Sequence, residues 1–265
     1  MRAMHPSESP NKRRPLPLAV VYSLYSWGMM FFVTVAFYLF GLIFVLPFSI
    51  LLDKGSRKKM HGVSRLWAKC LLSLNPGQSR IFEGLENLQP GTPYVIVGNH
   101  QSIVDIFVVL AGLDTHFKFL AKRELFSIPF LGWHLGLAGY VPLVRGNKES
   151  ARQAVAEARR LLQNKIGVLF FPEGTRSEDG EIKEFKSGAF KVASDENVSI
   201  LPVVIDGTGK VIPKHSWLMR DLVRLRMRVL KPVPPPLRDP AAIEKTRQEV
   251  EDRMRAELAA IRAGK

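Results

Sequence analysis

Apolar and polar positions follow two regimes along the chain. From Leu18 to Leu52 there are 35 residues without a charged side chain. After Asn75-Pro76-Gly77, a turn signal, short apolar runs alternate with amphipathic stretches. A spanning helix needs about 20 apolar residues, because the hydrocarbon core is about 30 Å thick and a helix rises about 1.5 Å per residue. The first regime is too long for one upright span and too short for two. Gly28 and Gly41 weaken it and Pro47 breaks or kinks it. The pattern favours a helical hairpin or re-entrant anchor over a single tilted span. Val63, Leu66, Trp67, Cys70, Leu71 and Leu74 then recur at helical spacing, with Arg65 and Lys69 off that stripe. That helix either floats at the headgroup level or packs on the domain that follows.

In the second regime, Tyr94–Val97, Phe117–Leu120, Val168–Phe171, Ile200–Ile205 and Leu225–Leu230 read as strands by length and by β-branched or aromatic content. Ser102–Gly112 and Glu149–Asn164 read as helices between them. A last helix is signalled by Asp239 as cap and Pro240 at its first position. Its stripe is Ile243, Val250, Met254, Leu258 and Ile261. Pro232, Pro234, Pro235 and Pro236 before it form a stiff spacer. Strands alternating with helices predict an α/β domain with a largely parallel central sheet flanked by helices, preceded by an N-terminal helical membrane anchor. The expected division is a basic tail over 1–17, the anchor and interfacial helix over 18–75, the α/β domain over 76–238 and the C-terminal amphipathic helix over 239–265.

Charge adds a preference in partners. Lys and Arg number 38 against 24 Asp and Glu, a formal net charge of +14, so the chain favours phosphates, lipid headgroups or nucleic acid. Basic flanks bracket the apolar run: Arg2, Lys12, Arg13 and Arg14 before it, and Lys54, Arg57, Lys58 and Lys59 after it. The positive-inside tendency keeps both ends in the cytoplasm, with the α/β domain on the cytoplasmic side of the membrane. A cleaved signal peptide fits poorly, since its apolar region is about 7–15 residues. A single cysteine, Cys70, excludes an intramolecular disulfide and a cysteine-based zinc site. The six histidines show no metal-ligand spacing, so no metal is expected. Nucleic acid is disfavoured, because the cations lack interleaved aromatic residues for stacking.

Chemistry is concentrated just after strands, where open α/β sheets bind ligands. Tyr94–Val97 leads into Gly98-Asn99-His100-Gln101-Ser102-Ile103-Val104-Asp105. With His100 in a loop and Asp105 in the first turn of the following helix, the carboxylate can reach a ring nitrogen and orient the imidazole as a general base. The alternative is a capping histidine beside a solvated aspartate. A second segment, Phe171-Pro172-Glu173-Gly174-Thr175-Arg176-Ser177, offers hydroxyls, a backbone free to approach a ligand, and a guanidinium suited to phosphate. Gly174 is a candidate backbone donor to an oxyanion. A third runs from Lys122 through Leu125, Pro129, Gly132 and Gly139 to Arg145. Between Lys210 and Lys231 a run of seven cations with one acid could meet an anionic partner or be a solvated surface.

These blocks together resemble the glycerophospholipid acyltransferase family. NHxSxxD is present at Asn99–Asp105, and FPEGTRS at Phe171–Ser177. The Lys122–Arg145 block has the family's spacing, and Leu201-Pro202-Val203-Val204-Ile205 looks like its fourth block. The resemblance implies a two-helix membrane motif and acyl transfer from acyl-CoA or acyl-carrier protein to a lysophospholipid hydroxyl, lysophosphatidate giving phosphatidic acid. It implies no cofactor. His100 and Asp105 are the implied catalytic pair, and Lys122, Arg145, Glu173, Gly174, Thr175 and Arg176 the implied substrate-binding residues. Glycerol 3-phosphate or a lyso-aminolipid as acceptor, and a non-catalytic phospholipid-binding scaffold, remain open at this point.

Overall fold

The computed structural model describes residues 13–53, 55–76, 78–144, 146–212, 216–219 and 222–264. Arg2, Lys12, Lys54, Gly77, Arg145, Lys214, Arg220 and Asp221 lie outside the described residues.

The apolar regime forms one unbroken helical rod. Helix α1, Leu16–Phe40, runs through a π-helical turn, Gly41–Val45, into α2, Leu46–Leu52. The expected reversal inside this run does not occur. Pro47 cannot donate a backbone hydrogen bond and would clash in a regular α-turn; the wider turn before it absorbs that conflict, with Leu46 N donating to Gly41 O. The rod spans Leu16–Leu52, 37 residues, and is long and apolar enough to cross a membrane by length and composition.

The chain reverses after Asp53 instead. Its carboxylate accepts from Ser49 Oγ at 2.6 Å and from Lys59 N at 2.7 Å, the second at the start of helix α3, Lys58–Leu74. Helix α3 returns along α1, with Tyr25 OH donating to Leu74 O at 3.0 Å and Trp67 Nε1 to Thr34 Oγ1 at 3.1 Å. The hairpin therefore consists of the rod and α3. Met60, Val63, Trp67, Ala68, Leu71 and Leu72 are buried, whereas Leu66 and Leu74 are exposed. The buried stripe is rotated from the one read in the sequence, and α3 packs on the domain.

The domain is a seven-stranded sheet among the described residues, ordered β1-β7-β6-β2-β5-β3-β4. Its strands are β1 Gln78–Glu83, β2 Val95–Gly98, β3 Phe117–Lys122, β4 Val141–Leu143, β5 Gly167–Phe170, β6 Ile200–Asp206 and β7 Val223–Val229. Only β6 and β7 pair antiparallel. Period-two alternation places Tyr94, Ile96, Leu169, Leu201 and Val203 on one face, under α3 and α4, Val104–Gly112. Val95, Val97, Val168, Ile200 and Val204 face the other side. There they meet α6, Lys148–Gln163, α7, Gly188–Glu196, and α9, Pro240–Arg262. Two short helices, α5 Leu131–Leu137 and α8 Thr208–Val211, sit in the loops after β3 and β6.

A buried polar seam joins α3 to β3 and α5. His61 Nδ1 pairs with Tyr140 OH at 3.1 Å, Ser64 Oγ with His134 Nε2 at 2.7 Å, and Lys118 Nζ donates to Ala138 O at 2.7 Å. Burial pushes the Lys118 ammonium down to about 7.

Candidate active site

Parallel strands β2, β3, β5 and β6 end on one edge of the sheet, and the chemistry-bearing segments leave from those ends. Asn99 fixes the first of them. Its side chain donates to Ile205 O and accepts from Ile205 N, both at 2.8 Å, tying the end of β2 to β6. His100 follows in the loop, and Asp105 is the second residue of α4.

The two side chains meet. His100 Nδ1 donates to Asp105 Oδ2 at 2.8 Å. The same oxygen accepts from Gln101 N at 2.7 Å and Ser102 N at 2.9 Å, so the carboxylate also pins the loop that leads into α4. Asp105 Oδ1 accepts from Thr208 Oγ1. Asp105 is fully buried, while His100 keeps 6% of its surface exposed. Phe171 stacks on the imidazole with ring centroids 4.3 Å apart and planes at 22°. This clamps one face of the ring and leaves Nε2, which has no hydrogen-bond partner among the described residues.

The segment after β5 is knitted to the histidine backbone. Glu173 Oε1 accepts from His100 N at 2.8 Å, and Ser177 N donates to His100 O at 2.7 Å. Glu173 Oε2 accepts from Lys183 N at 3.2 Å. Burial pushes the Glu173 carboxyl up to about 7, against the pull of those two amides. Gly174 adopts φ +72°, and a Cβ there would sit 2.7 Å from Lys186 Nζ. The left-handed backbone favours glycine here, with the flexible end of Lys186 lying across it. Gly174 N donates to Phe171 O at 3.0 Å, so the expectation of a free Gly174 donor for an oxyanion is overturned: the turn consumes it. Thr175 is exposed and Arg176 half-buried on the same segment.

Lys122 is the last residue of β3, two strands from β2 in the sheet order. Its ammonium is half exposed and pairs with Glu124 at 3.0 Å. Sheet topology puts it on the same edge as His100, although the two make no contact. Three residues beyond the sequence reading also build the site. Thr208 lies 103 positions from Asp105 and carries no local signal. Lys183, whose Nζ donates to Arg176 O at 3.3 Å, and Lys186 follow the FPEGTRS block three apart. No charge excess marks these two lysines in the sequence, because Glu178, Asp179, Glu181 and Glu184 lie beside them. Of the cation run at 210–231, Arg228 pairs with Glu83 and Glu257, and Arg226 Nη1 donates to Ile261 O at 2.5 Å. Two of the seven cations are therefore engaged within the protein.

With the geometry described, similarity to known proteins can be stated. Residues 79–206 match the acyltransferase family. The chain is 40% identical over 188 residues to the chloroplastic 1-acyl-sn-glycerol-3-phosphate acyltransferase of Arabidopsis thaliana, covering 71% of this chain and 52% of that protein. It is 38% identical over 215 residues to a 1-acyl-sn-glycerol-3-phosphate acyltransferase of Chlamydomonas reinhardtii, covering 80% of this chain and 63% of that one. The chain thus spans between about half and two thirds of these relatives' length. Among solved structures, it is similar to the 1-acyl-sn-glycerophosphate acyltransferase PlsC of Thermotoga maritima. The TM-score is 0.76 and the identity 28%, over 93% of this chain and 97% of that one.

Proposed function

Through residues 79–206 the chain belongs to the acyltransferase family, and from that premise we propose that it acylates the free hydroxyl of 1-acylglycerol 3-phosphate, forming phosphatidic acid. The donor is an acyl thioester, acyl-CoA or acyl-carrier protein. The observation that carries this reading is the His100–Asp105 pair at 2.8 Å, with Nε2 unpartnered among the described residues and Glu173 bonded to the same histidine's backbone.

His100 Nε2 accepts the proton of the acceptor hydroxyl as its oxygen attacks the thioester carbonyl carbon. Asp105 holds Nδ1–H and stabilises the imidazolium that forms. The tetrahedral adduct collapses, the C–S bond breaks, and the departing thiolate takes the proton from His100. The ester and a free thiol result. No enzyme nucleophile and no cofactor enter this scheme. Cys70 lies on α3 and not on a segment that leaves this sheet edge.

Arg176, with Lys122 and Arg145, binds the acceptor's phosphate, and Lys183 and Lys186 enlarge that cationic rim. Glu173 braces the histidine backbone, while Gly174 and Thr175 line the approach. The apolar rod holds the site at a membrane surface, where both the lysophospholipid and the acyl chain partition.

The test is formation of labelled phosphatidic acid from lysophosphatidate and a labelled acyl donor, run with CoA and carrier-protein thioesters and repeated with glycerol 3-phosphate and a lyso-aminolipid. Lysophosphatidate should be the preferred acceptor. Arg176→Ala should raise its KM about tenfold or more, the scale of a lost hydrogen bond between charged groups, with a smaller change in kcat. Saturable lipid binding without product, or an unchanged KM in the variant, contradicts the reading.

A further inference from the structure

Arg262 ends α9, 56 residues beyond the last position matched to the family. Its guanidinium has three partners on two different segments. Nε donates to Asp206 Oδ1 at 3.1 Å, Nη1 to Glu181 Oε1 at 2.5 Å, and Nη2 to Gly180 O at 2.8 Å. Asp206 ends β6, next to Ile205, whose backbone is held by Asn99. Gly180 and Glu181 belong to the loop that begins at Arg176 and returns at Lys183 to the Glu173 carboxylate. Gly180 O also accepts from Gln101 Nε2 at 3.2 Å, and Gln101 is the residue after His100.

The contact is closely fitted. Gly180 has φ +83°, and a Cβ there would lie 2.9 Å from Arg262 Nη2. The end of the helix is itself held, because Arg226 donates to Ile261 O. A planar fork with fixed donor directions can serve a carboxylate, a carbonyl and a second carboxylate at once, which a lysine ammonium on a flexible stem does poorly.

We propose that Arg262 is a positioning residue for acyl transfer. It sets the loop at 176–186 against the end of β6, and so aims Arg176 and Lys183 at the acceptor's phosphate. This rests on the function proposed above. Arg262 touches no reacting atom in this scheme; it acts through the loop.

A purely structural staple would lower stability and the yield of folded enzyme while leaving KM alone. The full-length protein in detergent is therefore compared as wild type, Arg262→Ala, Arg262→Lys, Glu181→Gln and Arg255→Ala. The last removes a side chain from the same helix whose ion pair is with Glu251. Arg262→Ala should raise the KM for lysophosphatidate about tenfold with kcat changed less, and Arg262→Lys should fall between it and wild type. Glu181→Gln should shift KM the same way by a smaller factor, while Arg255→Ala leaves it within about twofold. Amide exchange at Ser177 and Lys183 should accelerate in Arg262→Ala. An unchanged KM in Arg262→Ala, or in Glu181→Gln should the alanine variant not fold, overturns the proposal while the function stands. If wild type itself makes no product, the functional reading fails instead. Unaltered amide exchange in Arg262→Ala, or in Glu181→Gln should Arg262→Ala not fold, then overturns the positioning role independently.

Discussion

At Asp105, one carboxylate oxygen takes three N–H donors, from His100, Gln101 and Ser102, and the other takes the Thr208 hydroxyl. Such a group fixes the ring, because rotating either partner would strand several buried donors at once. Glu173 differs, since its two amide donors do not offset its burial and its carboxyl rises to about 7. The sign follows from linkage. An acid whose folded-state pKa is raised contributes stability that is present below the ordinary value of 4.5 and is lost as pH rises through about 7. Thermal unfolding of wild type and Glu173→Gln between those limits should therefore converge or cross as pH rises, wild type losing ground. Parallel curves would contradict the assignment. The His100–Asp105 spacing was legible in the sequence because both residues lie within one loop and helix turn. Thr208, Lys183 and Lys186 were not, since their roles depend on where β6 and the loop after β5 return in space.

At the scale of elements, the α/β core was legible where apolar runs were long and bounded by turn residues, as at Ile200–Asp206 and Phe117–Lys122. Strand β1, Gln-Ser-Arg-Ile-Phe-Glu, escaped notice because it pairs at the sheet edge and none of its residues is fully buried. Helix α5 is short and glycine-rich, so its periodicity carries little signal. The rod misled for a different reason. Pro47 has two structural solutions, a break or a widened turn, and the sequence does not choose between them. The hairpin depends on Trp67, whose ring meets Phe107 edge-on at 5.1 Å and whose indole N–H reaches Thr34 on α1. Trp67→Ala should cost about 3–5 kcal/mol of stability by the usual scale for buried aromatic residues. Denaturant unfolding in detergent measures it, and a loss below about 1 kcal/mol would mean that the anchor and domain are not packed as described.

At the scale of the whole molecule, an apolar rod and the sheet edge that carries His100 and Arg176 belong to one chain, and α3 packs against both the rod and the core. Its outer side lies along α1, and its inner side enters the core beneath the strand that ends at Lys122. Such an arrangement suits a reaction between two lipidic substrates whose reacting atoms sit at the headgroup level. Net charge of +14 fits anionic lipid in general. It could not by itself point to a phosphate site, because it is a sum over the whole chain and carries no position.

The most direct measurement is the single-turnover rate of acyl transfer to lysophosphatidate by His100→Ala beside wild type, with lysophosphatidate binding measured on the same samples. Removal of a general base should slow transfer by about 10²–10⁴ and leave binding within about twofold. Transfer within about tenfold of wild type, from protein that binds normally, would contradict His100 as the base.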